Sequence, residues 1–429
     1  MNVMESNYVK QSLTSRNFVL MVIGQIISLF GNAIIRFALP LYILQQTGSA
    51  ALFGAVSALS FLPMIVMSLI GGILADRVNK QRIMVVLDFL TAALVLGFIL
   101  LNGRVDAVLL VIVVLMVLYG IQGAYTPAVQ ASIPLMMQED KIMQANAVIN
   151  LVSSFAGLLG PVIGGLLFGI YGLAPIVIIG CISFALSAVM ELFIRIPHVR
   201  QIKQSGVIAI VKGDLKESFG FIIKEKPILL RVVLMVFLFN LSFSCLMLVG
   251  LPVIITQTLE ISTELYGVTQ GLMAAGGLVG GAMAGVLAKK MDMRGMYRLL
   301  VLCAACLVPV GLCLLMGAPA FLTYVVITAA SFLGMMLATM FTVQILSYVQ
   351  IVSPANIVGK VISTVMAVSM CAQPIGQSVY GLLFENAVGG EWAIVLVSSV
   401  ISLFIALFSR ATFRGFSGSA IGEKSNAVA

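Results

Sequence analysis

The chain has 429 residues, 61% of them hydrophobic and 9% charged, with a formal net charge of +8. A water-soluble domain carries roughly 25% charged residues, so this composition excludes a soluble particle of this size, and a mean hydropathy of +1.15 makes lipid the solvent. Positive charge could suit nucleic acid, but its placement along the chain, given below, assigns it to membrane topology and excludes a nucleic-acid partner.

A helix that spans a bilayer needs about 20 mostly apolar residues. Runs of that kind predict spans at 17–44, 50–75, 82–101, 107–134, 144–171, 173–194, 228–256, 263–288, 296–316, 319–348, 359–384 and 391–410. The expected class is an all-α membrane protein with 12 transmembrane helices. An N-terminal six-helix bundle is expected over 1–194, a cytoplasmic linker over 195–227, and a C-terminal six-helix bundle with a short cytoplasmic tail over 228–429. No short apolar run with a small-residue cleavage site precedes the first span, so no cleaved signal peptide is expected. With the N-terminus inside, every Lys and Arg except Arg36 and Arg104 falls in an inner segment. That asymmetry places both termini in the cytoplasm, and Trp392 then falls at the outer interface, where Trp is enriched.

Span one carries Gln25, Ser28, Asn32 and Arg36 at spacings of three, four and four, which is one helical face. In lipid such a face should turn toward a cavity or a partner. Arg36 reads as a cavity cation for anionic or polar groups of a substrate; snorkelling to the outer interface, or bonding to helix carbonyls, stays open. Span two ends in Gly72-Ile-Leu-Ala-Asp-Arg-Val-Asn-Lys-Gln-Arg82, and span three opens with Asp88, which could pair with Arg77, Lys80 or Arg82. A carboxylate such as Asp76 at a helix end can face the positive N-terminus of another helix and act as a latch; the alternative is that these cations only follow the topology. Span four repeats the polar spacing with Tyr119, Gln122, Thr126 and Gln130.

Span five holds Gly157-Leu-Leu-Gly-Pro-Val-Ile-Gly-Gly165. Small residues there allow close helix approach, and Pro161 removes a backbone donor and bends the helix. Near the end of span six, Glu191 could pair with Arg195 one turn on. Span seven offers Phe237, Asn240 and Ser244; span ten offers Thr328, Ser331, Met335, Thr339 and Thr342, beside Met336, Met340 and Phe341. Flexible thioethers suit a wall that repacks around varied ligands, although any single one also reads as filler.

Shifting the first half by 213 residues aligns Ser49, Leu52 and Gly54 with Ser262, Leu265 and Gly267, and Pro161 with Pro374. Glycines and prolines holding one register imply parallel repeats that can rock about a midplane site. The six cysteines lie in apolar segments; Cys303 and Cys306 form one CxxC with no second pair, and the only histidine, His198, lies elsewhere, so neither metal nor cofactor is expected. No phosphate-binding loop of the G-x-x-x-x-G-K-[ST] type is present.

The span-two loop resembles the signature G-x-L-x-D-R-x-G-R-K of the major facilitator superfamily. Gly72, Leu74, Asp76 and Arg77 match, Lys80 stands for the Arg, and Asn79 replaces the second Gly, a change that left-handed backbone would tolerate. A decayed copy runs from Gly285 to Arg294. The span-five string, with Gly157, Gly160, Pro161, Gly164 and Gly165, resembles the antiporter motif of the exporters of that superfamily. Ala124-Tyr-Thr-Pro-Ala128, Ile133-Pro134, Ala145-Asn146-Ala147 and Gly24-Gln25-x-x-Ser28-x-x-Gly31 resemble its macrolide-efflux and enterobactin-exporter branch. The resemblance implies a central cavity lined by spans one, four, seven and ten, the Asp76 latch, and a monomer that exports an amphipathic small molecule, drug-like or siderophore-like, in exchange for protons. Few carboxylates lie inside the spans, so proton exchange is implied by the resemblance alone. An importer on the same fold and a non-transporting sensor stay open as alternatives; an enzyme is disfavoured, since no His, Asp or Ser constellation clusters.

Overall fold

The computed structural model describes residues 13, 15–196, 217–218, 220–287, 295–354, 357–387 and 389–414. The side chains of residues 69, 73, 76, 77, 139, 359 and 411–414 lie outside that description. So do most of the expected linker, His198, the end of the decayed loop copy from 288, and the tail from 415.

Twelve long helices follow one another, with no β-strand among the described residues. They are α1 (Arg16–Thr47), α2 (Ala50–Arg77), α3 (Lys80–Leu101), α4 (Ala107–Met136), α5 (Ile142–Tyr171) and α6 (Leu173–Leu192), then α7 (Pro227–Thr258), α8 (Thr263–Leu287), α9 (Tyr297–Leu315), α10 (Ala320–Val352), α11 (Val358–Asn386) and α12 (Glu391–Arg414). Among the described residues, eleven are long and apolar enough to cross a membrane. The remaining one, α11, has 29 residues and carries Ser369, Gln373, Gln377 and Ser378 along its length. The chain is a multi-pass membrane protein, and the helix ends fall within a few residues of the expected spans.

Local chemistry sets these ends. Ser15, Ser49, Asn79 and Asp106 each cap a helix by accepting a backbone N–H of its first turn, from Phe18, Leu52, Gln81 and Leu109. Gly48 ends α1 at φ 66°, a left-handed position that glycine adopts without strain. Asn79 differs from the expectation. Its backbone is extended, at φ −60° and ψ 119°, so it serves as the N-cap of α3 and not as a substitute for a left-handed glycine. Within α7 two stretches widen to π-turns, Asn240–Ser244 and Ile254–Thr258. Such widenings occur mostly as single turns inside α-helices, often at functional sites.

The described residues divide into two compact units, one drawn from Met1–Gln204 and Thr263–Gly271, the other from Ser205–Ser262 and Leu272–Ala429. In the first, α1 packs on α5 and α6, and α3 on α4 and α6; in the second, α7 packs on α11 and α12, and α9 on α10 and α12. Each pairing recurs six helices later. One core of the first unit gathers Met21, Met84, Ile133 and Met137, all fully buried, with Tyr125.

Candidate functional site

The polar face of α1 splits into two environments. At its far end, the Arg36 guanidinium lies 3.6 Å above the centroid of the Tyr119 ring on α4. Tyr119 in turn packs against Phe61 of α2, with ring centroids 5.2 Å apart. A cation over an aromatic face is stabilised by about 0.5–2 kcal/mol, more when water is excluded. Arg36 is half-buried and rests on the same α4 face as Gln122 and Thr126. Gln122 donates to the Thr126 hydroxyl, 3.2 Å, which donates back to the Gln122 carbonyl, 3.0 Å.

The nearer part of the α1 face is not open. Gln25 and Ser28 are 3% and 6% exposed and bond to residues of their own unit. The Gln25 amide donates to the Tyr125 hydroxyl, and Tyr125 donates to Glu191 Oε1 at 2.6 Å. Ser28 donates to Asp88 Oδ1 at 3.0 Å, and Ser187 to the Gly24 carbonyl at 3.0 Å. Gln25 and Ser28, expected in the cavity, belong in this structure to a buried hydrogen-bond network. Asn32 is buried as well, and its Oδ1 has no partner among the described residues.

Asp88 and Glu191 were expected to pair with cations. Among the described residues neither forms an ion pair; Asp88 bonds to Ser28 and Glu191 to Tyr125. Arg195 is exposed, and its backbone exchanges bonds with the Asn17 side chain. Gln81 of α3 ties that helix to α6 by donating to the Glu191 and Leu192 carbonyls, 3.1 and 2.9 Å, which satisfies the free end of α6. The expected latch is described in part only. Gly72 has open space around it, Lys80 is buried, Arg82 stands in the first turn of α3, and the side chains of Asp76 and Arg77 lie outside the described residues.

The glycine string of α5 meets two neighbours. A Cβ at Gly160 would come 2.5 Å from that of Ala33, and one at Gly164 would come 3.1 Å from Phe37, both on α1. On another face, a Cβ at Gly165 would lie 2.8 Å from the Thr263 carbonyl oxygen and 2.9 Å from Gly267 Cα; one at Gly267 would lie 2.6 Å from the Pro161 carbonyl oxygen. Gly157 has nothing within 4 Å. Tyr266 stacks on Phe37, with centroids 5.2 Å apart, and holds the same segment.

In the second unit, Asn240 begins a wide turn of α7. Its amide donates to the Val236 carbonyl, and its oxygen accepts from Ser244, both at 3.0 Å. Phe237 and Thr339 are half-buried, and Met335 is exposed. A hydroxyl network that the sequence did not single out ties α7 to α11 and α12. Ser242 and Ser402 lie 2.9 Å apart, Tyr380 donates to the Ser242 carbonyl, and Tyr380 and Ser398 hydroxyls lie 2.8 Å apart. Among the described residues, no group of three or more His, Cys, Asp or Glu could hold a metal ion.

A sequence profile described as Major Facilitator Superfamily matches residues 21–377. Macrolide efflux protein A of Streptococcus pyogenes is 23% identical over 392 residues, which cover 90% of this chain and 93% of that protein. The multidrug efflux pump Tap of Mycobacterium tuberculosis is 25% identical over 205 residues, 45% of this chain and 49% of that protein. Among solved structures, a bacterial homolog of the human lysosomal transporter Spinster, in an inward-facing and unoccupied conformation, superposes with TM-score 0.72 at 13% identity, over 95% of this chain and 98% of that one. The nucleoside transporter NupG superposes with TM-score 0.72 at 13% identity, over 93% of this chain and 99% of that one. These two likenesses bear on the fold.

Proposed function

The chain belongs to the major facilitator superfamily and is a transporter, and on that premise we propose that it exports an amphipathic small molecule, drug-like or siderophore-like, by alternating access in exchange for protons. The observation that carries the direction is the span-five string. Gly160 and Gly165 press against Ala33 and Gly267 more closely than a side chain allows, and Gly164 lies tightly against Phe37; the string resembles the antiporter motif of exporters of this superfamily. The names of the efflux relatives agree with that direction.

In this reading the termini are cytoplasmic, 1–194 and 228–429 are the two moving halves, and 195–227 joins them. The substrate path takes Arg36, Asn32, Tyr119, Gln122 and Thr126 from the first half and Phe237, Asn240, Met335 and Thr339 from the second. Arg36 supplies the charge that meets polar or anionic groups, and Tyr119 holds its guanidinium in place. Met335 and Phe237 supply adaptable apolar contact. Asp76 works as the latch, with Arg77, Lys80 and Arg82 around it. A single chain suffices.

The test is accumulation of ethidium and labelled erythromycin in cells with and without the chain. Export predicts lower steady-state accumulation on expression, restored by a protonophore. Higher accumulation would instead favour the importer reading.

A further inference from the structure

Asp88 and Glu191 are 2% and 0% exposed, and each has one carboxyl oxygen, Oδ2 and Oε2, with no hydrogen-bond partner among the described residues. They come from different helices, α3 and α6, and each is bonded into the same face of α1: Ser28 donates to Asp88, and Gln25, one turn away, donates to the Tyr125 hydroxyl that donates to Glu191. Ser187 stands beside Asp88 while giving its proton to Gly24. A Cβ on Gly24 would lie in ordinary contact with both Ser187 Oγ, at 3.5 Å, and the Glu191 side chain, at 3.6 Å, so α1 packs directly on this part of α6.

Two carboxylates buried together without a cation are costly if both are ionised. The groups facing them are accounted for helix by helix. α1 presents Gln25 and Ser28, α4 presents Tyr125, and α6 presents Ser187, with Cys181 further along bonded to the Ala92 carbonyl of α3. The cations at this end, Arg16, Lys80, Arg82, Lys141 and Arg195, form no ion pair with either carboxylate among the described residues; Lys141 pairs with Asp140. The side chains of Asp76 and Arg77 lie outside the described residues. Among the described residues, no third acidic, histidine or cysteine side chain completes a metal site there. A proton is the cation that fits so closely bonded a cluster.

We propose that Asp88 and Glu191 hold one exchangeable proton between them and that this pair is where proton movement is coupled to transport. The coupling rests on the proton-antiport reading above. The O–H bond forms on one of the two free oxygens as a proton arrives from one side, and breaks as it leaves for the other. Tyr125 and Ser28 stabilise the anion left behind by donating to it, and Gln25 orients Tyr125 by donating to its oxygen.

Infrared difference spectroscopy of the full chain in lipid vesicles, titrated with pH, needs no substrate. The pair predicts a carboxylic acid C=O band that shifts in heavy water, fades as pH rises, and is lost in both Asp88→Asn and Glu191→Gln. Tyr125→Phe, which keeps both carboxyls, should shift the band without removing it. No such band in the wild type, or a band that survives both substitutions, overturns the proposal. A second arm uses ethidium in vesicles. Asp88→Asn and Glu191→Gln should still exchange ethidium between equal pools but lose uphill transport driven by a pH gradient. Uphill transport retained by both, or driven by a sodium gradient, overturns the coupling. If the wild type moves no ethidium in either mode, the exporter reading fails and takes the coupling with it, while the infrared band still decides whether the pair holds a proton.

Discussion

Arg36 of α1 and Tyr119 of α4 form a cation–ring pair at 3.6 Å, inside a span where a lone charge is costly. The pair explains how the charge is kept there with no ion pair to Arg36 among the described residues. Arg36→Ala should abolish export of erythromycin, and Arg36→Lys should recover only part of it, because an ammonium does not stack as a planar guanidinium does. Tyr119→Phe keeps the ring and should stay near wild type, whereas Tyr119→Ala should resemble Arg36→Lys. Erythromycin accumulation in expressing cells reads all four; wild-type export by Arg36→Ala would remove the residue from the path.

The glycine string supplies its own control. Gly160→Ala places a methyl group against Ala33, and overpacking of this kind costs about 1–3 kcal/mol. Gly157→Ala has open space and no such contact. Thermal unfolding of the purified protein in detergent should show a lower midpoint for Gly160→Ala and an equal or higher one for Gly157→Ala, where Ala only adds helix propensity. Equal shifts in both would mean that the close α1–α5 approach does not carry stability.

Asn79 distinguishes capping from backbone conformation. As an N-cap, its replacement by Ala should cost about 1 kcal/mol, while Gly costs only a few tenths and Asp is tolerated. Had the position needed left-handed backbone, Gly would stabilise. Midpoints for Ala, Gly and Asp variants give the order, and a more stable Gly variant would contradict the cap.

The surface ion pair Lys360–Glu217 is short, 2.7 Å, but both side chains are a third to a half exposed. Such pairs contribute about 0–1 kcal/mol. Glu217→Gln should leave the unfolding midpoint and erythromycin export unchanged; a large loss of either would give this contact a role the geometry does not.

The architecture was readable because lipid makes each span an apolar run of fixed length. Part of the packing was hidden by how helices share small residues. Gly123 of α4 and Met336 of α10 hold the same place in the 213-residue repeat. In the first unit Gly123 makes room for the Met64 carbonyl of α2; in the second, Gly280 of α8 makes room for the Met336 carbonyl. One partner at each crossing must be glycine, but either can be, so a search for identities passes over it.

The buried acidic pair was missed for a related reason. Asp88 and Glu191 lie near span ends, where carboxylates usually meet water or a nearby cation, and the i, i+4 spacing of Glu191 and Arg195 suggested a local ion pair. The partner of Glu191 is instead Tyr125, 66 residues away, which reads in sequence as one more aromatic of an apolar helix. The polar stripe on α1 was visible as a face; that its first two members turn into their own bundle depended on long-range pairings that spacing does not encode.

The most direct test of the account is transport by the purified chain in proteoliposomes loaded at acidic pH and diluted into neutral buffer with labelled erythromycin outside. Protein inserted with its cytoplasmic side outward should concentrate erythromycin in the lumen as protons leave, and collapse of the gradient should release it. Accumulation that ignores the pH gradient, or appears only when the gradient is reversed, would contradict proton-driven export.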